Sequence, residues 1–387
     1  MKVKNLINAC LLMIFMACGT ASNDNKTENK TNEEASSSAH LFLLGTYTNS
    51  PDQGIHLMTF HPNEGKIQTI STAAAVENPS FVIANKAQDL VYAVEENGGK
   101  EGGKITSFSL INGKLQKLNS VKASAKSPCY ITLDPSESFA VTANYSSGDF
   151  SVIPIAENGE VKPVTQVIAH TGSSVVTNRQ KEPHVHAAIF HPIDGNLFIA
   201  DLGTDEVVVY EFDNSLEKPV NPEPIYRLKV APGAGPRHMV FNSKGDKLYL
   251  IHEISAEIGV YSYDQGELKH QATHSLIAEG FEGKVGAAEV RLSPDGKFLY
   301  ASNRGEANEI IAFKIKENGD LTHVQTVSSM GKAPRNFNIT NDGKYLLAGN
   351  QDSNTILSFE RNLDSGELKP MDTKFEIHKP VYINFLP

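Results

Sequence analysis

A short unit recurs seven times along this chain, and a polypeptide built of such units has no single layered core to fold around. Each unit opens with a small residue or Pro, continues in alternating apolar residues, turns, and enters a second apolar stretch. The first stretches are 79–84, 128–133, 185–190, 236–241, 287–292, 334–339 and 380–385, and their last residues lie 46 to 57 positions apart. That period is the one expected of propeller blades. Turn-formers such as Ser293-Pro-Asp-Gly296 and Thr340-Asn-Asp-Gly343 follow the first stretches, with Gly supplying the positive φ of a hairpin. Third apolar stretches come next, at 105–110, 207–212 and 310–315, and the fourth are more polar, as edge strands are. The seventh unit ends after its first strand, and stretches 41–44, 55–60 and 67–70 near the start of the chain supply its other three. The fold expected is therefore all-β: a seven-bladed β-propeller whose last blade is closed by N- and C-terminal strands. With no Trp in the chain, the Trp-Asp signature of one large propeller class is absent.

Residues 1–17 read as a signal peptide: Lys2 and Lys4 precede an apolar run, 6–17, that is too short to span a bilayer. The run ends in Met16-Ala17-Cys18, which resembles a bacterial lipobox and makes Cys18 the expected lipidation site. Residues 18–39, that cysteine and a polar stretch whose positions 19–38 lack Val, Ile, Leu, Met, Phe and Tyr, form a tether unable to offset the entropy of ordering. The propeller then occupies 40–387, and the expected address is the bacterial cell envelope, held by a lipid anchor to the membrane. Of three cysteines, Cys10 lies in the signal and Cys18 carries lipid, so Cys129 stands alone and no disulfide is expected. A net charge of −10 without a basic tract excludes a nucleic-acid partner. The chain is read as a monomer that meets a small molecule.

In an antiparallel hairpin the start of one strand lies beside the end of the next, so both positions open on one mouth of the central channel. Counting four residues back from each first-strand end gives Ser80, Cys129, His186, Arg237, Ala288, Arg335 and Val381. Counting twelve forward gives Glu96, Tyr145, Leu202, Glu253, Arg304 and Gln351, with Tyr47 as the equivalent in the shared blade. Desolvated charges such as His186, Arg237, Glu253, Arg304 and Arg335 are costly unless paired or used, so both blade-locking ion pairs and catalysis fit them. His184 and His186 could hold zinc if a carboxylate joined them, but the expected site uses no metal and no cofactor. Cys129 is expected to be a small buried hydrophobe. His238, next to Arg237, is expected to point away from it by strand alternation.

Gly233-Ala-Gly-Pro-Arg-His-Met-Val-Phe241, Ser293-Pro-Asp-Gly-Lys-Phe-Leu-Tyr300, Ser302-Asn-Arg304 and Ala333-Pro-Arg-Asn-Phe-Asn338 resemble the 6-phosphogluconolactonase family of propellers. The resemblance runs in register from about residue 40 to the end. It implies a lactonase, a carboxylic-ester hydrolase whose substrate is a sugar-acid lactone. The fungal carboxymuconate-cyclising propellers share the fold and a His, Arg, Glu, Arg constellation, which falls on His186, Arg237, Glu253 and Arg304. Lactone opening needs an activated water, donors for an oxyanion, and a proton for the leaving alkoxide. Glu253 or His186 would be the base, and Arg237 and Arg304 the oxyanion donors. Arg335, His184, Asn303 and Glu96 would hold the rest of the substrate. A muconate-type cycloisomerase and a non-catalytic envelope binder remain as alternatives, since a fold does not dictate an activity.

Overall fold

The computed structural model describes residues 39–386, apart from 51–52, 75, 98, 100–101 and 124–125; the signal peptide, Cys18 and most of the tether lie outside the described residues. The described residues form seven four-stranded antiparallel sheets. In six of them the four strands follow one another in the chain. The seventh pairs Pro380–Phe385 with His40–Thr46, followed by Gly54–His61 and Lys66–Ala74, with Ile383 opposite Leu44. The first strands Val82–Ala84, Pro128–Leu133, Val185–Phe190, Pro236–Phe241, Ala287–Leu292, Pro334–Ile339 and Pro380–Phe385 touch one another in turn around the axis, and the last touches the first. The propeller and its closure by both ends of the chain are as the sequence leads one to expect.

Each blade stands between two others, so its central strands are apolar on both faces. Along Leu197–Asp201, Leu197 and Ile199 pack with Val141 and Phe150 of the preceding blade, while Phe198 and Ala200 pack with Leu248 and Met239 of the following one. Burying a Phe198 side chain fully is worth about 1.5–3 kcal/mol, and the alternation repeats around the ring. Hairpins between first and second strands are held by one side chain just past the first strand. Asp134 accepts from Phe139 N at 2.7 Å, Ser293 Oγ from Phe298 N at 3.0 Å, and Thr340 Oγ1 from Tyr345 N at 3.1 Å. The glycines of the last two turns do adopt positive φ: 68° at Gly296 and 74° at Gly343.

At the opposite end of the first strands the pairing register slips. The slip leaves Cys129, His186, Arg335 and Val381 without a cross-strand partner, and sets two residues against one at Arg237-His238 and Ala288-Glu289. A bulge of this kind bends the strand, tightens its twist and re-aims the extra side chain. Of the positions counted four residues back from each first-strand end, all but Ser80 are thus bulged residues or lie within a bulge. The bulge also cancels strict alternation, and this overturns the expectation for His238: it does not point away, and its Nε2 lies 3.3 Å from Arg237 Nη1.

Candidate active site

Glu253 directly follows the second strand of its blade, Lys247–His252, and its backbone N–H is held at 2.7 Å by the carbonyl of Gly235, two residues before Arg237. That fixes the carboxylate beside the bulge. Arg237 Nε and Arg304 Nη2 both meet Glu253 Oε2 at 2.9 Å, and Arg179 Nη2 meets Oε1 at 2.5 Å. Arg237 is 1% exposed and donates from Nη1 to the Ala288 carbonyl. Burial, with Arg304 and Arg335 nearby, lowers its pKa to about 10, so it keeps its charge at neutral pH. Arg304 is tethered by Gly286 O at 2.9 Å and Ala287 O at 3.3 Å. Burial works against ionisation of Glu253, but Arg304, Arg237, His186 and Arg179 outweigh it and hold the carboxyl well below its usual range.

His186 is buried beside this cluster, and desolvation, reinforced by Arg237 and His238, pushes its pKa well below the ordinary histidine value. It is a neutral imidazole at pH 7. Its Nδ1 lies 3.8 Å from Cys129 Sγ, and Nε2 has no hydrogen-bond partner among the described residues. Tyr145 stands edge-on to His186 with ring centroids 5.5 Å apart, and stacks on His184 at 4.4 Å. His184 Nδ1 is engaged by Tyr145 O at 3.0 Å. Across the mouth, Arg335 lies over the Tyr47 ring and 3.9 Å from Glu96, which accepts from Tyr47 Oη at 3.0 Å. A narrow cavity lined by Ser80, Cys129, Arg237 and Arg335 joins the two groups. Wider clefts lie at the outer rim between blades, as around Gln166, Glu211 and Lys218, away from the ring of charge.

One residue deeper, the channel is filled. Phe81, Tyr130 and Tyr382 stack on one another, with centroids 4.1 and 3.8 Å apart, and Tyr130 meets His238 edge-on at 5.3 Å. His238 Nδ1 faces Glu289 Oε1 at 3.3 Å, so its Nε2 is the acceptor toward Arg237. Burial followed by Arg237 lowers His238 to about 4, which keeps this tautomer neutral. Glu289, opposed by burial but outweighed by Arg291 and His238, is pulled down to about 2, and it also accepts from Asn336 Nδ2. The channel below the mouth is therefore closed by an aromatic stack beside the buried polar groups His238, Glu289 and Asn336.

The ring count brings His186, Arg237, Glu253 and Arg304 together, and groups Arg335 with Glu96. It does not bring in Asn303. That side chain is fully buried: Oδ1 accepts from Gly286 N at 3.0 Å and Nδ2 donates to Leu276 O, so it shapes the segment that anchors Arg304 and presents nothing to substrate. No group of three or more His, Cys, Asp or Glu side chains converges as a metal site among the described residues. Arg179 was not found by counting, because it sits on the irregular connection 170–184, outside the repeat. The one sequence sign of it is the 57-residue interval, the longest between units, into which that connection falls. Buried Asp205 pins the connection, accepting from Gln180 Nε2 at 2.8 Å, Ser174 Oγ at 2.5 Å, and Gly233 N and Gly235 N at 2.7 Å.

A family model described as "Lactonase, 7-bladed beta-propeller" matches residues 41–385. The 6-phosphogluconolactonase of Formosa agariphila is 32% identical over 341 residues, covering 87% of this chain and 96% of the relative. That of Bacillus subtilis is 30% identical over 350 residues, covering 90% and 98%. Among solved structures, the periplasmic gluconolactonase of Pseudomonas aeruginosa superposes with a TM-score of 0.85 at 33% identity, over 90% of this chain and 99% of that one.

Proposed function

This chain belongs to the lactonase family of seven-bladed β-propellers, and from that premise we propose that it hydrolyses a sugar-acid lactone at the mouth holding His186, Arg237, Glu253 and Arg304, by acid/base chemistry without a metal. The observation that carries the reading is a neutral imidazole with a free Nε2 beside guanidiniums locked on a shared carboxylate. His186 Nε2 takes a proton from water as the water oxygen bonds to the lactone carbonyl carbon. Charge then develops on the carbonyl oxygen, where Arg237 and Arg304 donate, and Glu253 holds those guanidiniums and balances the imidazolium. Collapse breaks the ring C–O bond, the proton passes from His186 to the leaving alkoxide, and the hydroxy acid leaves, releasing its carboxyl proton to solvent to become the carboxylate. Glu253, with both carboxylate oxygens engaged by guanidiniums, is assigned the positioning role and not that of base.

The substrate class is an aldonolactone, phosphorylated or not. The signal-like segment and Cys18 favour an exported, lipid-anchored enzyme, and the periplasmic gluconolactonase of Pseudomonas aeruginosa is consistent with an unphosphorylated substrate outside the cytoplasm. Proton release on lactone opening, or proton uptake on lactone closure, followed in a pH-stat on membrane and soluble fractions of cells making the chain, tests the reading with glucono-δ-lactone, its 6-phosphate, and a muconate diacid. The expected result is chelator-insensitive lactone opening in the membrane fraction that moves to the soluble fraction, or is lost with unprocessed protein, in Cys18→Ser. Turnover of the diacid alone would make the chain a cycloisomerase, and turnover of nothing would leave a binding propeller.

A further inference from the structure

The three guanidiniums on Glu253 are not equivalent. Arg237 is buried and tied to Ala288 O and His238, and Arg304 is tied to Gly286 O and Ala287 O. Both meet the same oxygen, Oε2. Among the described residues Arg179 alone meets Oε1; the only other partner of its guanidinium is Tyr145 Oη at 3.4 Å, and its side chain is 38% exposed. The backbone that carries it is anchored by Ser174 and Gln180 to Asp205, and Asp205 also holds Gly233 and Gly235 at the approach to Arg237. A partly exposed guanidinium that has no backbone carbonyl among its partners, on backbone that is itself anchored, can exchange its partner without moving the chain. The mouth also carries four guanidiniums, Arg179, Arg237, Arg304 and Arg335, against the two carboxylates Glu253 and Glu96, in a chain whose net charge is −10. A local excess of cations in an acidic protein is a site for an anion.

Resting on the lactonase reading, we propose that Arg179 is the substrate's anion clamp: it is parked on Glu253 Oε1 in the empty site and transfers to an oxyanion group of the ligand, a carboxylate or a phosphate, when the ligand enters. A guanidinium binds either group through paired N–H donors, so Glu253 acts as a resident stand-in for the ligand's own anion. The two sources of that anion leave different kinetic marks. A phosphate is present in the ground state, and its clamp acts on KM. The carboxylate exists only as the ring opens, and its clamp acts on kcat and on inhibition by product.

The test uses the full chain and its Arg179→Gln and Arg179→Lys variants, with glucono-δ-lactone and its 6-phosphate as substrates and with gluconate and 6-phosphogluconate titrated calorimetrically. The Gln variant should fold normally, because the loop is held by Ser174 and Gln180. If the clamp takes phosphate, KM for the phosphorylated lactone rises at least tenfold while the neutral lactone is unaffected. If it takes the nascent carboxylate, kcat falls at least tenfold on both lactones and gluconate binding weakens to match. In either case the Lys variant recovers part of the loss. Unchanged kinetics and unchanged anion binding in Arg179→Gln would overturn the clamp. A wild type that opens neither lactone refutes the lactonase reading instead, and the clamp then stands or falls on whether Arg179→Gln weakens binding of the two acids.

Discussion

Burial raises the cost of ionising Glu253, yet Arg304, Arg237, His186 and Arg179 outweigh it and hold its carboxyl well below the usual carboxylate range. His186 is the opposite case, since burial first, and then Arg237 and His238, favour its neutral form. A base with a depressed pKa works above that pKa and fails as pH falls through it, so the acid limb of kcat/KM should lie below pH 6.5. The same shift makes the unfolded chain take up a proton first, and stability should decline as pH drops below about 6.5. The Glu253→Gln variant should keep the acid limb, moved to lower pH because Glu253 no longer supports the imidazolium. It should also lose about 3–5 kcal/mol of stability, since its arginines are left uncompensated. The His186→Asn variant should have no such limb. A limb that vanishes with Glu253→Gln and persists in His186→Asn would transfer the role of base to Glu253. These residues could be found by counting along the chain because the repeat fixes the depth of each side chain in the channel. A motif resemblance carries no information on hydrogen bonding: it puts Asn303 with the substrate-holding residues, whereas its amide is engaged by Gly286 and Leu276.

The devices that aim the site belong to whole elements. Strand alternation predicts that Arg237 and His238 face opposite ways, but a bulge turns both inward and sets His238 and Glu289 beside the aromatic stack below the mouth. A bulge has no strong signature in one sequence, so this arrangement was not readable there. The connection 170–184 was equally hidden, as irregular backbone has no period. Its position depends on Gly203, where a Cβ would strike the Glu182 carbonyl and the backbone of His184. Gly195, in the hairpin of the same blade, has a positive φ of 74° and open space around it. Gly203→Ala should displace Arg179 and His184 and lower kcat by roughly 10²-fold, the scale of a misplacement of about 1 Å. Gly195→Ala should cost about 1 kcal/mol of backbone strain and leave kcat unchanged. Equal kcat values for the two variants, measured on folded protein, would show that the connection does not position the site.

At the scale of the molecule, the site depends on closure of the ring. The strand Pro380–Phe385 packs against the first strands on either side, and Asn336 links it to the buried polar groups below the mouth by accepting from Ile383 N at 2.8 Å while donating to Glu289. Seven units at intervals of 46 to 57 residues made the ring readable from the sequence, and counting within each unit gave the mouth its residues. Substrate choice was not readable, because loops, such as the one bearing Arg179, follow no repeat and a fold does not dictate a substrate. The central claim is that the mouth holds charge as a lactone opens and is not a set of struts between blades. Arg304 distinguishes these alternatives best, since it is partly exposed and its loss leaves Arg237 and Arg179 on Glu253. The decisive measurement is turnover of glucono-δ-lactone per folded molecule in Arg304→Met, with its melting temperature taken on the same sample. The account predicts kcat lower by about 10²–10³-fold, the scale of losing one oxyanion donor, with a small change in melting temperature; a lowered melting temperature with unchanged kcat per folded molecule would contradict it.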